Sequence, residues 1–224
     1  MLVPSPSPVV RIAAALDLDG GVIDLATRVL VAGVVPEPRF GREAEVVATA
    51  TALVRAGADL VDVSLPPRLV GPAVGAVRVP VAVLADTAEA ASAAGRAGAA
   101  VVLVPVALLP GVARAAEAEP APAAPGSTHG RPRPVIVGLV DDLAGIADAR
   151  VTAGRSGVPL AFDSSRWSAA DAIGREAAAV AEGCRILRTT DVRRSRRVAE
   201  VMTAILGARR RSATAPNDRH QGTP

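Results

Sequence analysis

The sequence has very few aromatic residues and no lysine. Its only aromatic residues among 224 are Phe40, Phe162 and Trp167. A nucleic-acid surface that stacks bases, or an aromatic cage around a ligand, therefore has almost nothing from which to be built. All 25 basic residues are arginine. This excludes a lysine Schiff base, a lysine nucleophile and the phosphate-binding lysine of a Walker A motif.

Cysteine and histidine are also scarce. Cys184 is the one cysteine, so the chain has no internal disulfide and no cysteine metal cluster, as is typical of a cytoplasmic protein. The two histidines, His129 and His220, lie in low-complexity segments, which argues against a histidine triad or a zinc site. The residues themselves predict no metal site.

Long hydrophobic runs are missing as well. The longest uncharged apolar stretch lies between Arg96 and Arg114 and contains Pro105 and Pro110. It is shorter than the roughly 20 residues that a bilayer-spanning helix needs. The N-terminus lacks the basic, apolar and small-residue order of a signal peptide. We expect a cytoplasmic protein without a membrane partner.

Three low-complexity segments frame one domain. Residues 1–8 are rich in proline, residues 117–134 combine proline and alanine, and residues 207–224 are polar and basic. We expect a disordered leader, an insertion loop and a disordered tail. The remaining chain, residues 9–206, has a size and apolar content that suit a single domain.

Seven short runs rich in Val, Leu and Ile alternate with alanine-rich segments. Near-continuous apolar runs are typical of parallel strands that are buried on both faces. The runs occupy residues 29–35, 59–64, 79–85, 99–104, 135–140, 158–163 and 185–189. The alternation favours repeated βα units that close into a barrel, with a doubly wound open sheet as the second choice.

A hairpin is predicted in front of these units. Residues 11–18 and 22–26 are strand-like, and residues 19–21, Asp-Gly-Gly, have the chemistry of a tight turn. We expect this hairpin to cover the bottom of the barrel.

Polar residues follow most of the apolar runs. In a parallel barrel the active site lies at the carboxyl ends of the strands, so these residues are the candidates for chemistry. They are Glu37, Asp62, Ser64, Asp86, Thr87, Asp141, Asp142, Asp163, Ser164, Ser165, Arg166, Arg188, Thr189, Thr190 and Asp191.

Four segments resemble, in the same order, dihydropteroate synthase, the pterin-binding barrel enzyme of folate synthesis. Residues 27–37 are similar to its first strand, which ends Asn-x-Thr-Pro-Asp-Ser-Phe, and residues 53–63 to its second, with Gly-Ala-Asp-Ile-Ile-Asp-Val. Residues 79–87 end in Asp-Thr like its third strand. Residues 183–192 are similar to its last strand, Gly-Ala-x-Ile-x-Arg-Val-His-Asp-Val. The resemblance covers about residues 9–206.

The resemblance implies a pterin-binding (β/α) barrel that joins a pterin pyrophosphate to p-aminobenzoate and releases pyrophosphate. Asp86 matches the pterin-binding aspartate, and Arg188 matches the pyrophosphate-binding arginine. Glu37 and Asp62 are expected at the pocket. Because synthases of this family are typically dimers through late helices, the apolar helix 198–206 is compatible with a homodimer.

Several family positions are changed. Gly33 stands in place of the Asn of the metal and anion site, Leu103 in place of a pterin-contacting Asn, and Thr190 in place of the anion-binding His. The catalytic loop corresponds to residues 64–71 and lacks the family's Ser-Thr pair. The resemblance implies magnesium at the anion site, although the Asn ligand position is Gly33.

The segment 157–167 matches the family in two ways. Against the sixth strand, Asp163 corresponds to the pterin-binding Asp of Asp-Pro-Gly; against the seventh, Ser165 and Arg166 correspond to Ser-Arg of Ser-Arg-Lys, with Trp167 in place of the Lys. We prefer the seventh, because Gly-x-Pro precedes the segment and one helix separates it from the last strand. Either match leaves one βα unit missing and predicts a seven-stranded or imperfectly closed barrel.

Each candidate also has a structural interpretation. Asp86, Asp141 and Ser165 each follow a strand and suit the N-cap of the next helix. Arg188 has Asp191 and Glu182 as candidate ion-pair partners. The arginines that open the last helix flank its apolar stripe and are expected on a solvated face; they are Arg193, Arg194, Arg196 and Arg197.

These matches and losses together favour a dihydropteroate synthase-like protein with weak or no synthase activity. Its site would hold a pterin near Asp86 and Asp163, and an anion near Arg188, Arg166 and Thr190. The alternative is a non-catalytic paralogue that acts as a pterin-binding or protein-interaction scaffold. A pterin-dependent methyltransfer module fits less well, because the last strand ends as in the synthases.

Overall fold

The computed structural model describes residues 15–18, 21–37, 42–64, 66–118 and 134–214. It has nine strands and seven helices over these residues. In chain order they are β1 Ala15–Leu18, β2 Gly21–Asp24, β3 Leu30–Val34, α1 Glu43–Arg55, β4 Leu60–Asp62, α2 Val70–Ala76, β5 Val81–Leu84, α3 Ala88–Arg96, β6 Val101–Pro105, α4 Leu109–Ala118, β7 Val135–Val140, α5 Ile146–Ser156, β8 Leu160–Asp163, α6 Ala169–Ala181, β9 Ile186–Thr189 and α7 Val192–Thr214.

Strands β3 to β9 form a closed parallel barrel in sequential order. Strand β9 pairs with β3, where Ala32 lies opposite Arg188, and this pairing closes the ring. The seven predicted apolar runs are the seven barrel strands, with bounds that differ from the prediction by no more than two residues at either end. The prediction of a barrel is therefore confirmed, the open sheet is excluded, and the ring is complete with seven strands.

The predicted hairpin is present as the antiparallel pair β1 and β2. Leu16 and Leu25 are fully buried and belong to the cluster inside the barrel, together with Leu30 and Leu60. Because Leu30 and Leu60 are the first residues of their strands, the hairpin covers the amino-terminal end of the barrel. The polar residues that follow the strands lie at the opposite, carboxyl-terminal end of the barrel.

Two apolar layers hold the barrel together. One fills its interior and includes Leu103 and Ile186, and the other packs the outer faces of the strands against the helices and includes Phe162 and Leu187. Side chains alternate between these layers because successive residues of a strand point to opposite faces. The interior therefore receives every second residue of each strand.

The last helix is longer than predicted. Helix α7 continues to Thr214, whereas the sequence analysis began a disordered tail at residue 207. Alanine and arginine, which dominate this stretch, are strong helix formers and extend a helix beyond its last apolar contact. Most of the predicted insertion, residues 119–133, lies outside the described residues, as do residues 1–8 and 215–224. No helix of the described residues is both long and apolar enough to cross a bilayer.

Candidate functional site

A buried arginine and two aspartates meet at the carboxyl-terminal end of the barrel. Arg188 Nε donates to Asp62 Oδ2 at 2.6 Å, and Arg188 Nη1 donates to Asp163 Oδ2 at 2.7 Å. The side chains are 9 %, 0 % and 7 % exposed for Arg188, Asp62 and Asp163, so all three charges are largely removed from water. We call these three residues the rim cluster.

The strand pattern places these side chains in the barrel interior. Asp62, Asp163 and Arg188 each lie two residues after a member of the interior apolar cluster, namely Leu60, Ala161 and Ile186. Residues two apart in a strand share a face. The three charges therefore lie directly above the apolar interior, on three different strands.

Two serines complete the hydrogen bonding of the carboxylates. Ser64 Oγ donates to Asp62 Oδ1 at 2.5 Å, and the Ser165 backbone N–H donates to Asp163 Oδ1 at 2.9 Å. Ser165 Oγ also accepts from Arg188 Nη1 at 3.1 Å. Every carboxylate oxygen thus has one partner, and each keeps a second lone pair for a further donor.

Burial dominates the electrostatics of the rim cluster. Burial raises the pKa of Asp62 above its ordinary value of 3.8, and the opposing effects of the Arg188 charge and the Ser64 hydrogen bond do not cancel it. Burial by itself would lower the pKa of Arg188, but the charges of Asp62 and Asp163 raise it. Arg188 therefore stays protonated, and the cluster carries one carboxylate more than it has arginines.

Arg188 has little donor capacity left for a ligand. Its Nε and Nη1 atoms are occupied by the two aspartates, and among the described residues only Nη2 makes no hydrogen bond. A bidentate grip on a phosphate needs two free nitrogens on one guanidinium. The structure leaves one nitrogen for an anion, whereas the carboxylates still offer acceptor sites.

The other predicted site residues are not part of this cluster. Asp86, Glu37 and Thr190 are exposed and follow their strands at the rim. Arg166 is exposed as well, and its Nη2 lies 3.0 Å from Asp141 Oδ2 in an ion pair whose side chains are 62 % and 55 % exposed. The structure thus brings together Asp62, Asp163, Ser165 and Arg188, and leaves Asp86, Glu37, Thr190 and Arg166 around them.

The structural interpretations of Asp86, Ser165 and Arg188 are wrong. Thr87 rather than Asp86 caps helix α3, and Ser168 rather than Ser165 caps helix α6. Arg188 pairs with neither Asp191 nor Glu182, because the closed ring brings two interior aspartates closer. The two caps were missed by one and three residues along the chain, whereas the partners of Arg188 were missed because only its neighbours in sequence were considered.

A second buried cluster joins the last two βα units, and the sequence analysis missed it. Glu176 is fully buried, and its Oε1 accepts from Ser164 Oγ at 2.5 Å, from Ser195 Oγ at 2.6 Å and from Arg194 Nη2 at 3.2 Å. Arg194 Nη2 also donates to Thr189 Oγ1 at 3.0 Å. A signal was available, because Glu176 lies four residues from both Ala172 and Val180 on the buried face of α6.

The solvated face predicted for the start of α7 is wrong for two of its arginines. The Arg194 side chain is 13 % exposed beside Glu176, and the Arg196 side chain is 23 % exposed. Arg196 binds Asp59 Oδ2 at 2.5 Å and the carbonyl oxygen of Gly57. Both point toward neighbouring elements that the periodicity of α7 alone does not reveal, whereas Arg193 and Arg197 are exposed as expected.

Gly33, the position at which the resemblance implies a magnesium ligand, does not suit a ligand side chain. A Cβ atom at Gly33 would lie 2.8 Å from Val192 Cγ2 and 3.1 Å from Leu53 Cδ2, so it would point into the helix layer and not into the barrel mouth. No group of three or more His, Cys, Asp or Glu side chains in the described part of the chain could hold a metal ion. These residues give magnesium no site at the first strand.

Trp167 lies against α6. The Arg175 guanidinium is 3.7 Å from the centroid of its ring, a cation–π contact. The Trp167 Nε1 atom is buried and has no hydrogen-bond partner among the described residues. Trp167 is therefore a packing residue against α6.

Comparison with known proteins identifies the fold. No protein-family model matches the sequence, and no similar sequence is found among curated proteins. Dihydropteroate synthase from Stenotrophomonas maltophilia, with imidazole in its active site, is 20 % identical with a TM-score of 0.63 over 86 % of this chain and 98 % of that one. The Coxiella burnetii enzyme in complex with pteroic acid is 16 % identical with a TM-score of 0.63, over 88 % and 100 %.

A third structure supports the same assignment. Dihydropteroate synthase from Xanthomonas albilineans in complex with 7,8-dihydropteroate is 20 % identical with a TM-score of 0.57, over 86 % of this chain and 98 % of that one. Identities this low establish the architecture. The chain is therefore a divergent member of the dihydropteroate synthase fold.

Proposed function

We propose that this protein is a dihydropteroate synthase-like, pterin-binding protein of folate biosynthesis with weak or no synthase activity. The observation that carries the proposal is the rim cluster, in which two interior carboxylates share a single arginine. Structural neighbours bind pteroic acid and 7,8-dihydropteroate, which supports a pterin as the ligand class.

The carboxylates suit the donor groups of a pterin. A pterin presents an amino group and ring N–H groups, which donate hydrogen bonds, and ionised carboxylates only accept. Asp163 lies closer to the barrel mouth than Asp62, since it is slightly exposed and Asp62 is not. We therefore assign the main pterin contact to Asp163 and a contact at the rim to Asp86.

The rim cluster also argues against an efficient dihydropteroate synthase reaction. Displacement of pyrophosphate develops negative charge on the leaving group, which a synthase must stabilise with preorganised donors. Arg188 offers one free nitrogen, Arg166 is paired with Asp141, and Gly33 has no side chain. Loss of one such donor typically costs about 10²- to 10³-fold in rate, so several losses together reduce turnover to a trace.

The alternative is a non-catalytic scaffold that keeps the barrel for contact with a partner. A groove between α6 and α7, where the apolar side chains of Ile173 and Val201 are exposed, favours this alternative. The two functions are compatible, because the groove and the rim cluster occupy different parts of the molecule.

Titration calorimetry with pteroic acid tests the pterin proposal. We expect micromolar binding that weakens by about tenfold in Asp163→Asn, which corresponds to one charged hydrogen bond. Asp86→Asn is the matched variant: its side chain is exposed, so we expect a loss of no more than about threefold. Absence of binding by the folded protein, or equal binding by wild type and Asp163→Asn, would contradict the proposal.

Turnover is measured separately with a pterin pyrophosphate and p-aminobenzoate. The Stenotrophomonas maltophilia synthase serves as the positive control. We expect a rate at least about 10³-fold lower than that of the control. A rate within tenfold of the control would show an active synthase and overturn the assignment of a degenerate site.

A further inference from the structure

Among the described residues, the buried polar and charged side chains fall into two clusters. The first is the rim cluster inside the barrel. The second, which we call the outer cluster, lies between the barrel and its last two helices. Its members are Ser164, Glu176, Thr189, Arg194 and Ser195. The rest of the described core is apolar, so buried polarity is concentrated at one end of two neighbouring strands, β8 and β9.

The two clusters lie on opposite sides of the barrel wall. In the chain, Asp163 is followed by Ser164, and Arg188 is followed by Thr189. Successive side chains of a strand point to opposite faces. Asp163 and Arg188 therefore face the barrel interior, while Ser164 and Thr189 face the helices, where they contact Glu176 and Arg194.

Glu176 is linked to the ends of both strands. Its Oε1 atom accepts from Ser164 Oγ at 2.5 Å and from Arg194 Nη2 at 3.2 Å, and Arg194 Nη2 also donates to Thr189 Oγ1 at 3.0 Å. The backbone N–H of Ser164 donates to the carbonyl oxygen of Arg188 at 2.8 Å, and Ser164 Oγ lies 3.1 Å from the same oxygen. A carboxylate in the helix layer thus holds the end of β8 against the backbone of β9.

Stability alone gives little reason for a carboxylate at this position. Replacing a buried ion pair by apolar side chains of similar volume is often neutral or stabilising. Glu176 Oε2 and Arg194 Nε are also buried without a hydrogen-bond partner among the described residues, which carries a desolvation cost. The other buried residues of α6 are apolar, namely Ala172, Ala179 and Val180. The costly polar pair therefore coincides with the two strands that carry Asp163 and Arg188.

We propose that Glu176 is a positioning residue for the rim cluster. It fixes Ser164 directly and Thr189 through Arg194, and so sets the spacing of β8 and β9 at the barrel mouth. That spacing determines how Asp163 is presented to a ligand. This role rests on the proposed function, because it serves the pterin site that the rim cluster forms.

Two serines provide a matched comparison. Ser164 Oγ and Ser195 Oγ donate to the same oxygen of Glu176, at 2.5 and 2.6 Å, and both side chains are buried. Ser195 lies on α7, however, and not at a strand end. In titration calorimetry with pteroic acid, we expect Ser164→Ala to weaken binding by at least about fivefold and Ser195→Ala by less than about twofold.

Substitutions of Glu176 test the carboxylate itself. Glu176→Ala removes the links to both strands and should weaken pteroic acid binding by at least about tenfold. Glu176→Gln keeps an acceptor oxygen for the serines and for the arginine, so its affinity should stay within about threefold of the wild type. Leu16→Ala removes buried apolar contacts at the opposite end of the barrel and should leave the affinity unchanged. Circular dichroism verifies folding, and the serine variants decide the question if Glu176→Ala does not fold.

A second readout needs no ligand. Arg188 Nε–H donates to Asp62 Oδ2 at 2.6 Å inside the barrel, so the chemical shift of this group in a proton–nitrogen NMR spectrum reports the contact. The signal is assigned by its absence in Arg188→Met. We expect it to shift in Glu176→Ala and in Ser164→Ala, and to keep its wild-type position in the three other variants.

Two results would overturn the proposal. One is an unchanged affinity and an unchanged Arg188 signal in both Glu176→Ala and Ser164→Ala. The other is an equal effect of Ser195→Ala or Leu16→Ala, which would show that Glu176 contributes to stability only. If the wild-type protein binds no pteroic acid, the proposed function fails, and the Arg188 signal then decides whether Glu176 positions the rim cluster.

Discussion

Replacing Arg188 by methionine is the sharpest test of the rim cluster. The change removes the guanidinium and keeps most of the aliphatic stem. It leaves Asp62, which is fully buried, and Asp163, which is nearly so, without their shared counter-charge. We expect a large loss in the free energy of unfolding, measured by urea denaturation at neutral pH.

The size of the loss follows from the contacts that remain. Removing one partner of a buried ion pair typically costs about 3–5 kcal/mol. Each carboxylate here keeps one hydrogen bond, from Ser64 Oγ to Asp62 and from the Ser165 N–H to Asp163. We therefore expect a cost near the lower end, about 3 kcal/mol.

A second substitution identifies the cause. Asp62→Asn in the Arg188→Met background replaces a buried charge by a neutral amide, so it should recover about 1–2 kcal/mol of the loss. In the wild-type background the same change removes a partner of Arg188 and should not stabilise the protein. The difference between the two effects is the coupling energy of the pair.

The contribution of Asp62 to the free energy of unfolding changes with pH in a direction that its pKa sets. Burial raises the pKa of Asp62 in the folded protein above 3.8, so the folded state binds this proton more tightly than the unfolded chain. The contribution of Asp62 to stability is then complete below 3.8 and is lost as pH rises through the folded-state pKa. Loss of the Arg188 charge raises this pKa further, so the penalty of Arg188→Met should be smaller at pH 5 than at pH 7.

Arg166→Met is the control for charge removal at the same rim. Its ion pair with Asp141 is exposed, and such pairs contribute about 0–1 kcal/mol. Equal losses in Arg188→Met and Arg166→Met, or no recovery by Asp62→Asn, would refute the account of the rim cluster as a buried, charge-coupled unit.

Three further results are expected. Glu176→Ala should lower the free energy of unfolding by about 3–5 kcal/mol, because the mostly buried Arg194 loses its carboxylate; a loss below 1 kcal/mol in urea denaturation would contradict this. Leu16→Ala should cost about 2–5 kcal/mol in the same assay, whereas Val22→Ala on the exposed side of the hairpin should change stability by less than about 0.5 kcal/mol. Burial raises the pKa of Cys184 to about 12, so the thiol should not react with Ellman's reagent at pH 8 until the protein is denatured, and rapid reaction of the native protein would refute its burial.

The barrel was predictable because its strands are buried on both faces. Such strands appear in the sequence as uninterrupted apolar runs, and a run such as residues 135–140 needs no knowledge of its neighbours to be recognised. The end of α7 was missed for a different reason: residues 207–214 have no apolar periodicity, so they were assigned to a tail. Pro216, two residues after Thr214, was the available stop signal.

The site was predictable in its members but not in its contacts. Arg188, Asp62 and Asp163 were all candidates because they end apolar runs. That Arg188 pairs with Asp62, 126 positions away, depends on the register of a closed ring. The burial of Arg194 similarly depends on how α6 packs on α7. The apolar stripe of α7 alone does not reveal that Glu176 on α6 faces this arginine.

Gly33 limits which residues this chain can accept on the first barrel strand, β3. Any larger residue there would overlap Val192 and Leu53, so a single substitution would disturb the packing of α7 and α1. The strand would need compensating changes in two helices as well. Selection for folding alone would therefore keep glycine at position 33, whatever the barrel binds.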